Sequence, residues 1–206
     1  MQVQPQPSGI LSGESCGWRA VAGGRALEHC RQRGFTLIEL MITVAVAAVL
    51  LMIAVPSFRN ITLSNRLNTA ANDLVNAISV ARMEAIKRNT STQFCSNSAS
   101  ANTNDTLGSA CNAEAGAVWA MSSSTLNRVL ASPVSLVPPV QVNGDLIALR
   151  FSAQGQARMV GATAPFNDVV TDICTSQMGS DNHRVIRMTA GSILATTTTS
   201  GDCPSS

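Results

Sequence analysis

The chain has 206 residues, the length of one folded domain, with 13% charged and 3% aromatic residues and no tyrosine; soluble domains usually carry about 25% charged residues. Its formal charge of +2 belongs to residues 1–34, where Arg19, Arg25, Arg31 and Arg33 outnumber Glu14 and Glu28, because the ten basic and ten acidic residues from Phe35 onward cancel. That balance excludes a generally basic protein that coats phosphate backbones.

Residues 1–33 hold Pro5, Pro7 and five glycines between Gly9 and Gly24, and show no sustained period. Residues 1–34 read as a leader to be removed rather than as part of the fold. The next 21 residues, FTLIELMITVAVAAVLLMIAV at 35–55, contain one ionisable group, Glu39. As a helix at ~1.5 Å per residue they span roughly 32 Å, about one hydrocarbon core. A transmembrane helix is therefore expected over 35–56. Arg31 and Arg33 precede it, which places the N-terminus in the cytoplasm and the bulk of the chain outside. The run is too long for a cleaved secretory signal, and no small-x-small cleavage site follows it.

Pro56 closes the apolar run, and a membrane or a neighbouring helix can carry a helix through such a break. Helical periodicity resumes over 57–89. Leu67, Ala70, Ala71, Leu74, Val75, Ile78, Ala81, Ala85 and Ile86 recur at three and four residues, with Arg66, Asn68, Asp73, Asn76, Arg82 and Lys87 on the other side. Such a stripe needs a partner surface. The helix is expected to end near Asn89, before Thr90, Ser91 and Thr92 bring in strand-favouring residues.

Residues 90–206 read as short strands punctuated by turns. The expected strands are 91–95, 117–121, 134–142, 146–152, 157–160, 168–174, 183–189 and 192–198, with hairpin turns at Asn143-Gly144-Asp145 and Gln154-Gly155. The Ser/Asn/Ala-rich stretch 96–115 is expected to be a long loop bridged by cysteines. The fold class is thus α+β: a long N-terminal helix, half transmembrane and half amphipathic, packed on antiparallel sheet.

The sequence Arg33-Gly34-Phe35-Thr36-Leu37-Ile38-Glu39-Leu40 closely resembles the class III signal of type IV pilins and type II secretion pseudopilins. The resemblance implies cleavage by a prepilin peptidase after Gly34, N-methylation of Phe35, and an assembly role for Glu39 as fifth residue of the mature chain. There it would pair with the N-terminal amine of a neighbouring subunit. The chemistry is consistent: glycine admits close backbone approach, and a carboxylate at the start of a membrane helix is costly without a partner. The stretch 55–89, through Asn65-Arg66-Leu67 and Ala81-Arg82-Met83-Glu84-Ala85-Ile86-Lys87-Arg88, is similar to the GspH/FimT branch of minor pilins and pseudopilins. So are the strand ending at Cys95, the Trp119 strand and Phe151-Ser152-Ala153-Gln154-Gly155. The resemblance implies a pilin-like fold. It also implies a structural subunit at the tip, or in the initiation, of a type IV pilus or type II secretion pseudopilus. Partners would be other pilins, through the N-terminal helix, the prepilin peptidase and the bacterial inner membrane, with the C-terminal domain periplasmic.

Cys95, Cys111, Cys174 and Cys203 follow the apolar run, and in an oxidising compartment four cysteines allow three pairings. The pairing expected is Cys95–Cys111 and Cys174–Cys203. It closes short Ser/Asn/Thr-rich loops and ties down the C-terminus, as in many pilin-like proteins. Cys16 and Cys30 would leave with the leader.

The alternative function is DNA binding during uptake. In some FimT-type minor pilins a Gly-Arg-x-Arg-like hairpin supplies positive charge, but the corresponding Gly191-Ser192-Ile193-Leu194 has neither arginine. Arg184 and Arg187, at i and i+3 on a strand, should point to opposite faces, which disfavours nucleic acid as a partner. Catalysis is not expected. His29 lies in the leader, and His183 at a strand start reads as a surface residue. The four later cysteines lack metal-ligand spacing, so no metal or cofactor is implied. Glu84 and Arg88 form an i,i+4 pair on a solvated helix face.

Overall fold

The computed structural model describes residues 34–204, apart from 104 and 123–124. Nearly all of the leader read from the sequence, with Arg31, Arg33, Cys16, Cys30 and His29, lies outside the described residues. The chain divides into two compact units after Leu50. Helix α1 runs Leu37–Arg88 with Pro56 inside it. In the first unit its residues are all exposed, and α1 is long and apolar enough to cross a membrane.

In the second unit α1 buries Leu63, Leu67, Ala70, Ala71, Leu74, Ala77, Ile78, Ala81 and Ala85. This is the stripe read from the sequence with two additions, Leu63 and Ala77, and two losses, since Val75 is only half-buried and Ile86 remains 50% exposed. Five of the nine are alanines, whose short side chains let strands approach the helix axis closely. The helix stops in a Schellman arrangement: Asn89 has φ 51°, its amide donates to the Ile86 carbonyl and the Thr90 amide to the Ala85 carbonyl. Asparagine tolerates the left-handed conformation this requires.

Nine strands form two antiparallel sheets among the described residues. β1 is Thr92–Phe94, β2 Val118–Ser122, β3 Thr125–Leu130, β4 Gln141–Val142 and β5 Leu149–Phe151. The others are β6 Ala157–Met159, β7 Asp168–Cys174, β8 His183–Thr189 and β9 Ile193–Thr199. Their orders are β3-β2-β1-β5-β6 and β4-β7-β8-β9. Both sheets pack on α1 through one core, which joins Leu67, Leu74 and Ile78 to Phe94, Leu149 and Phe151 of one sheet and Ile173, Ile186 and Met188 of the other. At the junction, the buried Thr92 hydroxyl donates to the Ala81 carbonyl at 2.6 Å. This is the α+β, pilin-like arrangement expected.

Four local readings need correction. β3 was not foreseen: its residues are mostly exposed, so no buried alternate face marks it. The expected strand 134–142 shortens to β4, because Pro138 and Pro139 offer no N–H to a ladder. Asn143-Gly144-Asp145 is no hairpin; it carries the chain from β4 in one sheet to β5 in the other, with the Asn143 amide bonded to the Asp172 carbonyl at 2.8 Å. Within 96–115 the chain forms helices α2 (Ala99–Asn102) and α3 (Thr106–Cys111). They are organised by buried Asn102, whose Nδ2 donates to the carbonyls of Ser96, Ser98 and Asn112. Gln154-Gly155 does form the β5–β6 turn, with Gly155 at φ 75°, pressed against Ile86 of α1.

Candidate processing and assembly site

Gly34 lies in exposed coil directly before α1, and a Cβ built on it would meet nothing within 4 Å. Phe35 follows, 76% exposed. The helix then opens on a capping signal that the sequence reading passed over. Thr36 precedes the first helical residue, and its hydroxyl accepts a hydrogen bond from the Glu39 amide at 3.3 Å. Thr36-x-x-Glu39 is the capping-box pattern, and a carboxylate in the first turn complements the helix dipole. The Gly34–Phe35 signal and the helix start therefore share residues: the Gly34–Phe35 bond lies in coil and the chain is helical from Leu37 on.

Beyond Pro56 the exposed side of α1 is unusually apolar for a solvated surface. Phe58 is 70% and Ile61 57% exposed, and Val137 on the facing loop is 55% exposed. All three border an open cleft of about 500 Å³, and Phe58 also lines a second, of about 740 Å³, with Arg59, Leu63, Arg66, Pro139 and Gln177. Further along, Arg88 Nε donates to Glu84 Oε2 at 2.6 Å and Lys87 Nζ to Glu84 Oε1 at 3.4 Å. The Arg88 bond, first among its causes, holds the Glu84 carboxyl below its ordinary range. The pair is a local helix-surface feature, as the sequence implied.

The cations that could serve a nucleic-acid groove are dispersed. Arg184 is 5% exposed and bonds Asn68 Oδ1 at 2.7 Å and Ser64 Oγ at 3.0 Å. Arg187 points to the other face, exposed and 3.5 Å from Asp168 Oδ1. The Gly191–Leu194 stretch forms the β8–β9 turn and presents the Ser192 carbonyl to Arg82 Nη1 at 3.3 Å. Arg150 is held by Asp105 at 2.7 Å and by Gln93.

His183 is not the surface residue expected. It is 3% exposed, with Nδ1 2.7 Å from Asp172 Oδ2; Gly201 closes over its other nitrogen. Disulfides join Cys95 to Cys111 and Cys174 to Cys203, with Cα separations of 5.5 Å and 5.8 Å. The first links the end of β1 to the end of α3, and the second fastens the C-terminal segment to β7. Among the described residues no group of three or more His, Cys, Asp and Glu side chains could hold a metal ion.

The prokaryotic N-terminal methylation motif matches residues 29–55, which contain Gly34, Phe35 and Glu39. The family described as type II transport protein GspH matches residues 70–192, more than half of the chain. The chain belongs to the GspH family. It is a minor pilin or pseudopilin of type II secretion or a type IV pilus, in a family whose role is structural rather than catalytic. No curated protein and no solved structure matches the chain. Nothing in the matches favours DNA binding.

Proposed function

We propose that this GspH-family chain is made as a precursor, cut between Gly34 and Phe35 by a prepilin peptidase and N-methylated on Phe35. Residues 35–56 anchor it in the bacterial inner membrane, and residues 57–206 lie in the periplasm. Within the pilus or pseudopilus it joins other pilin-type subunits through α1, with Glu39 paired to the terminal amine of a neighbour. The observation that carries this reading is the motif's setting: an open Gly34–Phe35 bond immediately before a helix whose first unit is wholly exposed and apolar. A bare apolar helix is stable only in lipid or against other helices. Mass spectrometry of the membrane protein should find a chain starting at methylated Phe35, and Gly34→Arg should leave only precursor. A mature chain with another N-terminus would refute the proposal.

A further inference from the structure

β9 is the outer strand of the second sheet. It pairs residue for residue with β8, from His183↔Thr199 to Thr189↔Ile193, without a bulge. Among the described residues no hydrogen bond reaches its outer edge, and six of its seven residues are exposed. Such an edge is a template for any passing strand, and proteins normally blunt it. The other three edges are blunted here. β3 carries Arg128, paired with Glu114 at 3.2 Å. β6 has three residues, includes Arg158, and is covered at Ala157, whose amide donates to the Gly191 carbonyl and whose carbonyl accepts from the Phe166 amide. β4 has two residues, and Gln141 is bonded to Cys203 and Pro204 of the C-terminal segment. β9, ILATTTT, has no charge and no proline.

The geometry also decides against a second copy as occupant. Arg184 at the start of β8 binds Ser64 and Asn68, and Ser192 just beyond its end binds Arg82. β8 thus runs along the helix axis in the same direction, and β9 runs against it. Antiparallel pairing of two β9 strands needs a two-fold axis normal to the sheet, which would reverse the 64–82 helix segment. Subunits joined side by side through α1 segments that run in one sense, as proposed above, cannot be related that way. A two-fold axis along the strand sets identical residues opposite one another, whereas a parallel ladder staggers them. A head-to-tail contact would need one of the three blunted edges.

We propose that β9 receives an extended strand from a different chain of the assembly, added by main-chain hydrogen bonds; this rests on the reading under Proposed function. The partner strand is uncharged, free of proline, and built of small or β-branched residues. Its side chains flank Thr196 and Thr198 on the helix side, where they register with Ile186 and Arg184, and Ala195 and Thr197 on the other. A seven-residue contact is small, and co-anchoring in one membrane supplies the effective concentration that holds it.

The test compares full-length wild type with the Thr196→Lys/Thr198→Lys double variant, each purified from membranes of the native host. Accompanying pilin-type subunits are counted by their own methylated N-terminal phenylalanines. Amide exchange over 193–199 is followed in the assembled and detergent-dissociated states. The expected result is a loss of about tenfold or more in accompanying subunits, with unchanged circular dichroism and thermal midpoint, and slower β9 exchange only in the assembled wild type. Thr125→Lys, on the edge that already carries Arg128, should change nothing. Undiminished recovery from the double variant, or β9 exchange equal in both states, overturns the inference alone. Concentration-dependent slowing in the purified protein by itself identifies a second copy and overturns it too. If wild type carries no pilin-type subunits, the functional reading fails and the inference falls with it.

Discussion

Arg184 of β8 donates its Nε to Asn68 Oδ1 of α1 at 2.7 Å, which makes a buried guanidinium a polar tie between the second sheet and the helix. Its other bonds go to Ser64 Oγ and to the carbonyls of Asp181 and His183; among the described residues none goes to a carboxylate. A charge buried among neutral acceptors depends on every one of them. Asn68→Ala should therefore cost about 1–3 kcal/mol, because a buried donor loses its partner. Arg184→Met should cost less, since an apolar replacement removes the charge together with its need for partners. Urea titration of both variants checks the order. Greater loss in Arg184→Met would show that the tie is worth more than its desolvation.

The local part Glu39 plays at the helix start is separable from the assembly role proposed for it. Its backbone amide bonds the Thr36 hydroxyl whatever its side chain is, so Glu39→Ala should leave α1 formed and inserted while incorporation into filaments falls. Glu39→Gln keeps the shape and removes the charge. It should fail like alanine if an ion pair with a neighbouring amine is what assembly needs. Fractionation for insertion and sheared-filament yield for assembly are the measurements. Normal yield from either variant would rule out the pairing.

The helix stripe was legible because a 3.6-residue period reports burial directly, and from Leu67 to Ala85 every residue it named is buried except the half-buried Val75. β7 and β8 were legible because Val169, Val170, Thr171 and Ile173 in one and Val185, Ile186 and Met188 in the other mark strands, and the observed bounds, 168–174 and 183–189, are those expected. What stayed hidden depends on contacts far apart in the chain. β3 is a surface strand defined by its ladder with β2. Asn102 is one asparagine in a polar stretch until Ser96 and Asn112 fold around it. His183 is buried because Asp172 and the C-terminal segment close on it, which no local pattern announces. The Thr36-x-x-Glu39 cap could have been read from the sequence, but the processing motif occupies the same residues and drew the reading instead.

Asp105 sets a pH dependence whose sign is fixed. Its carboxylate accepts from Arg150 and caps α3 through the Gly108 amide at 2.8 Å. The Arg150 bond, first among its causes, lowers its pKa from 3.8 to about 2. A folded pKa below the unfolded one contributes stability that is complete above the unfolded value and lost as pH falls toward the folded value. The urea midpoint should therefore decline between pH 4 and 2 more steeply in wild type than in Asp105→Asn. Parallel profiles would show that the Arg150 pair does not matter to folding.

The two disulfides should differ in what their removal costs. Cys95–Cys111 closes a separation of 16 residues and Cys174–Cys203 one of 29. Chain entropy alone assigns them about 3 and about 3.6 kcal/mol. Cys95 and Cys111 sit fully buried beside Ala117 and Trp119, so replacing both with alanine leaves apolar atoms in place with a small loss of packing. The loop they close also has folded-state ties of its own: the Asn102 bonds, the Asp105 cap, and Gly108, where any side chain would strike the Asn102 carbonyl. Those ties persist without the bridge, so the native α2–α3 segment should keep its shape and the loss should arise in the unfolded chain. Beyond β9 the C-terminal segment is held by the Asn182 bonds to Gly201 and by Gln141, which bonds the Cys203 sulfur itself and Pro204, and residues 199–202 are exposed. The Cys174/Cys203 double alanine variant should therefore lose local order as well as stability. Guanidinium titration should place both variants below wild type, the 174/203 pair lower. Amide exchange should quicken locally over 199–204 in that pair, and over 96–112 in the other only as far as global stability has dropped. Selective local opening of 96–112 would show that the first bridge holds native structure rather than restricting the unfolded state.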